Sequence, residues 1–168
     1  MSSPEAVAAP AGTGLPRWLV LIAAVIVLDQ ISKAWMLAAF APYATQEVAG
    51  FFNLVLVFNS GAAFSFLAGA GGWQKWFFVV LAFGVSAWLL ALLRAHAGER
   101  LLPAVLALIV GGALGNVIDR LRFDAVVDFI QVHYAGWYFP AFNVADSAIT
   151  VGVGLMLLHQ LRYGGEPR

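Results

Sequence analysis

Four long apolar stretches leave this chain few folds to choose from. Trp18 to Phe40 runs 23 residues, enough at about 1.5 Å per residue to cross a hydrocarbon core of roughly 30 Å. Trp73 to Leu93, Leu101 to Ile118 and Val144 to Leu161 follow. Lipid offers no partner to a backbone N–H or C=O, so segments of this kind become helices. The sequence therefore predicts an all-α membrane protein, with four transmembrane helices at about 18–40, 73–94, 101–119 and 144–161, and a small β element. A cleavable signal peptide is the alternative for the first stretch, where Ala39-Phe40-Ala41 resembles a cleavage site. The run exceeds a signal h-region of about 7–15 residues and contains Asp29 and Lys33, which favours a retained helix.

Composition narrows the functions. With 62% hydrophobic and 11% charged residues, a water-soluble globule is ruled out. Nine Lys and Arg balance nine Asp and Glu, so nothing builds the positive field that a nucleic acid needs. Without cysteine there is no disulfide, thiolate metal site or cysteine nucleophile. His96, His133 and His159 are too dispersed to suggest a metal site, and no cofactor is expected.

Residues 1–16 read as a disordered Ala/Gly/Pro/Ser tail, 17–162 as one membrane domain and 163–168 as a C-terminal tail. Between the first two spans, Glu47 to Leu67 carries the β-formers Phe51, Phe52, Val55, Val57 and Phe58 between Gly50, Asn59 and Gly61, and predicts a short sheet or hairpin at the membrane surface. Arg120 to Phe142, with Trp137 and Tyr138, belongs to the headgroup zone on the same side. Arg17, Arg94, Arg100, Arg162 and Arg168 fall on the opposite side, the cytoplasmic candidate by the positive-inside rule.

Charges this rare at membrane depth are informative. Asp29 and Lys33 share a helix face, acid first, the favourable order for an ion pair; the pair orients the helix or supports a site. Gly111, Gly112 and Gly115 give the third helix a small-residue face for close packing. Asn116 and Asp119, three residues apart, share a face from which they can brace a neighbouring loop, while Arg120 has the reach to snorkel to phosphate headgroups. Asn59-Ser60-Gly61 reads as a turn, with Asn and Gly supplying positive φ. Asn143 and Asp146 have capping-box spacing at the start of the fourth helix. Capping leaves Asp128 unexplained, an acid within the apolar run Val126-Val127-Asp128-Phe129-Ile130 that needs compensation. If Asp128 meets Asp146, the two carboxylates in a low-dielectric pocket hold one proton between them. One then activates water while the other polarises a carbonyl.

Five blocks in order resemble the lipoprotein signal peptidase, or signal peptidase II, family of bacterial membrane aspartyl proteases. They are Asp29-Gln30-Ile31-Ser32-Lys33, Phe58 to Ser65, Gly111 to Arg120, Val127-Asp128-Phe129-Ile130 and Phe139 to Ser147. The resemblance implies a catalytic dyad of Asp128 and Asp146. Asn59, Gly61, Asn116, Arg120, Asn143 and Ala145 would shape the substrate pocket, and Asp29, Lys33 and Asp119 would support it. It implies a four-helix bundle with an extracytoplasmic β-cradle and a mobile, amphipathic periplasmic helix, in the bacterial inner membrane, with both termini cytoplasmic and the site near the periplasmic face. The substrates implied are diacylglyceryl-modified prolipoproteins, cut just before the lipidated cysteine, with membrane phospholipids as surroundings and globomycin as inhibitor.

The rival reading is a small proton-coupled transporter using Asp29, Lys33 and the outer acids as a relay. It predicts acids spaced through all depths, whereas here they cluster toward one face. A structural or lipid-binding protein comes third and predicts silent Asp-to-Asn changes.

Overall fold

The computed structural model describes residues 14–61 and 71–163. Four helices, α1 (Leu15–Ala39), α2 (Trp73–Ala95), α3 (Leu101–Phe123) and α4 (Val144–Tyr163), are each long and apolar enough to span a membrane. They carry a four-stranded antiparallel sheet, β1 (Thr45–Ala49), β2 (Phe52–Asn59), β3 (Val126–Tyr134) and β4 (Trp137–Tyr138), in the order β1-β2-β3-β4. Leu15 and Pro16, expected in the tail, open α1, because the fixed φ of proline suits a first helical turn. The remaining tail residues, 1–13 and 164–168, and the end of the expected β segment, 62–67, lie outside the described residues. Every helix among the described residues is one of the four spans; the implied periplasmic amphipathic helix is not among them.

The buried residues of α1 are Ile22, Val25, Asp29, Lys33 and Met36, a stripe at spacings of three and four that places the ion pair in line with the apolar contacts. α3 is the central helix and packs against the other three. Its glycines allow this: a Cβ at Gly115 would lie 2.8 Å from Asp29 Oδ2, and one at Gly112 would collide with the Ala145 carbonyl of α4. At one end of the bundle Ile22, Leu89, Leu93, Leu106, Ala107 and Val110 form an apolar cluster. There Arg17 donates to the carbonyls of Ala97 (3.2 Å) and Glu99 (2.7 Å), and Trp18 Nε1 to Ala97 O (2.9 Å), which ties the start of α1 to the α2–α3 turn.

The sheet covers the other end. Met36 of α1 packs with Leu56, Val127 and Phe129 in a second apolar cluster. The sequence predicts a sheet or hairpin only between the first two spans and reads 126–130 as no more than a β-like run, yet half the sheet comes from the connection between α3 and α4. α3 also runs a turn beyond its expected end, to Phe123, because Arg120 turns inward and Phe123 packs under the sheet. It stops where Asp124 adopts φ 61°, a left-handed conformation that Asp tolerates. The β2–β3 register shifts between Leu54 and Val57. There the backbone of Leu56 pairs instead with Tyr43 (2.8 Å) and Ala44 (3.1 Å).

Candidate active site

Strand alternation aims Asp128. Val127 and Phe129 enter the apolar cluster under the sheet, so Asp128 between them faces the other way, into a cavity of about 840 Å³. After β4 the chain returns along β3, with Phe142 N donating to Ile130 O (3.0 Å) and Ile130 N to Phe142 O (2.8 Å). That clip lays Asn143 beside Asp128 and starts α4 with Asp146 in its first turn. Asp146 lines the same cavity, with Asn59, Gly61, Asn116 and Arg120. Residues 18 apart in sequence thus converge on one space.

Asn143 joins the two acids. Its Oδ1 accepts from Asp146 N (2.9 Å), as an N-cap does, and its Nδ2 donates to Asp128 Oδ1 (2.7 Å). Asn59 repeats the device: its Oδ1 accepts from Gly61 N (3.0 Å) and its Nδ2 donates to Asp128 Oδ2 (3.1 Å). In both amides a backbone N–H occupies the oxygen and fixes the orientation, so the NH₂ is presented to the carboxylate. The turn expected from positive φ at Asn59 is therefore an Asx turn closed by its side chain, with Asn59 itself still in extended β2. Burial, and then the neighbouring charge of Asp146, push the Asp128 carboxyl up to about 7, against the opposing pull of Asn59, Asn143 and Lys33.

Asp146 is held differently. Its Oδ1 accepts from Asn116 Nδ2 (2.8 Å); its Oδ2 has no hydrogen-bond partner among the described residues. Behind Asn116 lies a closed ionic cluster. Lys33 Nζ donates to Asp29 Oδ2 (2.8 Å), Asp119 Oδ2 (2.7 Å) and Asn116 Oδ1 (3.0 Å), which uses all three protons of the ammonium.

Arg120 departs from the headgroup-snorkelling expectation. Its Nη2 donates to Gly61 O (3.1 Å), and its guanidinium lies 5.0 Å from the Phe78 ring centroid, on the cavity wall. The two nearby carboxylates draw the cation inward more strongly than distant lipid phosphates do. Asn143 and Ala145, expected to shape the pocket, sit behind its lining: both are fully buried, and Ala145 donates its backbone N–H to Asp29 Oδ1 (2.9 Å). Gln30 carries no charge to mark it in the sequence, yet its Nε2 bridges Asp29 Oδ2 (3.2 Å) and Asp119 Oδ1 (2.9 Å). Its adjacency to Asp29 is the only trace of that role in the sequence. Phe139, Pro140 and Ala141 complete one apolar wall, and Ile149 and Val151 of α4 another.

Membrane-length helices gathered around a carboxylate-lined cavity at one end define a multi-pass membrane protein of the enzyme class. Residues 21–162 match the family described as signal peptidase (SPase) II. A lipoprotein signal peptidase of Azoarcus sp. (strain BH72) is 59% identical over 155 residues, covering 92% of this chain and 88% of the relative. One from Burkholderia vietnamiensis (strain G4 / LMG 22486) is 52% identical over 153 residues, covering 91% and 92%. A solved bacterial membrane enzyme superposes with a TM-score of 0.81 at 28% identity, covering 92% of this chain and 94% of its own. The chain belongs to the signal peptidase II family. It is a multi-pass membrane protease, and the transporter reading falls away.

Proposed function

We propose that the chain removes signal peptides from diacylglyceryl-modified prolipoproteins by a two-aspartate mechanism, with Asp128 and Asp146 as the catalytic dyad. One observation carries this reading: two acids from a strand and a helix line one cavity and are held by the two ends of a single amide, Asn143. Asp128 keeps its proton to about pH 7 and donates it to the scissile carbonyl oxygen. Asp146, with Oδ2 open to the cavity, takes a proton from the attacking water as the water oxygen bonds to the carbonyl carbon. The tetrahedral diol returns a hydroxyl proton to Asp128. Asp146 passes its own proton to the leaving nitrogen, and the C–N bond breaks to give a carboxylic acid and a free amine. A substrate that fills the cavity would displace water from it, which would strengthen polarisation of the carbonyl.

Arg120, Asn59, Gly61 and Asn116 shape the pocket in this reading, with Asn143 and Ala145 acting from behind it. The substrate's signal helix and acyl chains already lie in the bilayer, so phospholipid is the medium from which it enters, and globomycin inhibits by filling the cavity. The basic residues Arg17, Arg94, Arg100 and Arg162 support a reading with both termini on the cytoplasmic side and the sheet and site at the periplasmic face. The test is cleavage of a diacylglyceryl prolipoprotein by purified Asp128→Asn and Asp146→Asn in detergent. Both are expected to be inactive with melting temperatures near that of the parent protein; full activity in either rejects the dyad.

A further inference from the structure

The ionic cluster behind the cavity takes no part in its lining, and a small cleft between α1 and α3 reaches Lys33 and Asp119 from the other side. Asp29 is 0%, Asp119 1% and Lys33 2% exposed. A salt bridge this deep is a poor device for stability, because desolvation cancels much of its attraction. Its outward contacts suggest another use. Asp29 Oδ1 accepts the backbone N–H of Ala145 (2.9 Å), the residue before Asp146. Asp119 Oδ2 accepts the backbone N–H of Val127 (3.1 Å), the residue before Asp128. Lys33 joins the two carboxylates, and its third proton goes to Asn116 Oδ1 (3.0 Å), which turns the Asn116 NH₂ onto Asp146 Oδ1 (2.8 Å). Each proposed catalytic acid is therefore gripped one residue upstream, through its backbone, by one arm of the same ammonium-centred cluster. Gly115 leaves the space into which Asp29 fits.

We infer that Lys33, with Asp29 and Asp119 as its two arms, is the positioning centre that sets how Asp128 and Asp146 face each other. The inference rests on the two-aspartate reading above. Lys33 does not touch the substrate cavity, so its effect is on turnover and not on substrate affinity. Its charge also reaches Asp128 and favours the ionised carboxylate there, against the neighbouring charge of Asp146.

The experiment compares Lys33→Met with the double variant Asp29→Asn/Lys33→Met, as full-length proteins in detergent, on a diacylglyceryl prolipoprotein across pH. The double variant keeps an acceptor for Ala145 N–H and leaves no acid stripped of its cation at position 29. Both are expected to lose about 100-fold in kcat, the scale of an ångström-sized misplacement of reacting groups, with KM close to that of the parent. In Lys33→Met the alkaline limb of the pH–rate profile moves to higher pH, since the cation that favours ionised Asp128 is gone. A folded variant with parental kcat and an unmoved limb overturns the inference. So does a loss of kcat matched by an equal rise in KM, or failure of both variants to fold, since each of these indicates a purely structural role. Asp128→Asn and Asp146→Asn run alongside separate the two ideas: activity in those variants sinks the dyad, whereas their inactivity beside a normal Lys33→Met sinks only the positioning role.

Discussion

The two ends of the helix bundle are held together by opposite chemistries. Around Leu93 and Leu106 the contact is apolar and interchangeable in kind. Around Lys33 it is a network in which the ammonium and the amides of Gln30, Asn116 and Asn143 donate to buried carboxylates and to one another, most of these nitrogens serving more than one acceptor. In lipid the apolar end has little hydrophobic drive, because acyl chains are as apolar as leucine, and dispersion packing holds it. The polar end has no solvent to fall back on, so a lost partner leaves a buried group unpaired. The difference predicts that the apolar end tolerates change in small steps, while the polar end loses function at once.

The largest effect is expected at the cavity. Asp128→Asn and Asp146→Asn each remove half of the proposed acid/base pair, and loss of a group of this kind costs about 10⁴-fold or more in kcat. For the parent enzyme, turnover should fall as pH rises through about 7, where Asp128 gives up its proton. The linked stability has the reverse of the usual carboxylate sign. The folded state holds this proton above the unfolded pKa, so the contribution of Asp128 to stability is greatest below about pH 4, declines as pH rises to about 7, and is flat beyond. A melting temperature that instead climbs from pH 4 to pH 7 in the parent, but not in Asp128→Asn, contradicts the assigned burial.

Next comes the ionic cluster, where charge balance sets an order. Removing Lys33 leaves two buried carboxylates facing each other, and Lys33→Met is expected to cost on the order of 3–5 kcal/mol. Removing Asp29 leaves Lys33 still paired with Asp119 at 2.7 Å. Asp29→Ala should then cost only about 1–3 kcal/mol, mostly for the orphaned Ala145 N–H. Thermal unfolding of the two variants in one detergent gives the comparison; equal losses would mean that Asp119 does not share the lysine.

How much of this the sequence carries depends on the range of each interaction. Length and hydropathy suffice for the four spans, since lipid permits little else. The Asp29–Lys33 pair is legible because a helix turns residues four apart onto one face, and Asn143 is legible as a cap because its partner is three residues away. The tie from Lys33 to Asp119 is not: those residues are far apart in sequence, and only the glycine face of α3 allows them to meet. Arg120 misleads for the same reason. A basic residue near a helix end suits lipid phosphate equally well, and only the convergence of two carboxylates turns it inward. β3 shows its β-formers but not its partner strand, because pairing with β2 is a property of the bundle that brings the two connections to one end.

The mildest changes sharpen the contrast. Leu93→Ala in the apolar cluster should cost about 1–2 kcal/mol, the cavity contribution alone, rather than the roughly 2–5 kcal/mol of a water-soluble core, and should leave kcat untouched. Weaker still is Lys75→Ala. Lys75 Nζ lies 2.5 Å from Asp124 Oδ1, closer than the 2.8 Å between Lys33 and Asp29. Ranked by distance, the Lys75 pair would matter more. Ranked by environment it matters least, because the Asp124 side chain is 81% exposed where that of Asp29 is 0% exposed, and water and salt screen the attraction. Lys75→Ala should therefore change stability by less than about 1 kcal/mol, and by less again at high ionic strength. Lys33→Met should keep most of its effect at high salt, since the three groups of the cluster are buried and buried pairs are screened far less. Matching salt dependence in the two variants would show that the cluster is open to solvent, and the contrast between the two ends of the bundle would go with it.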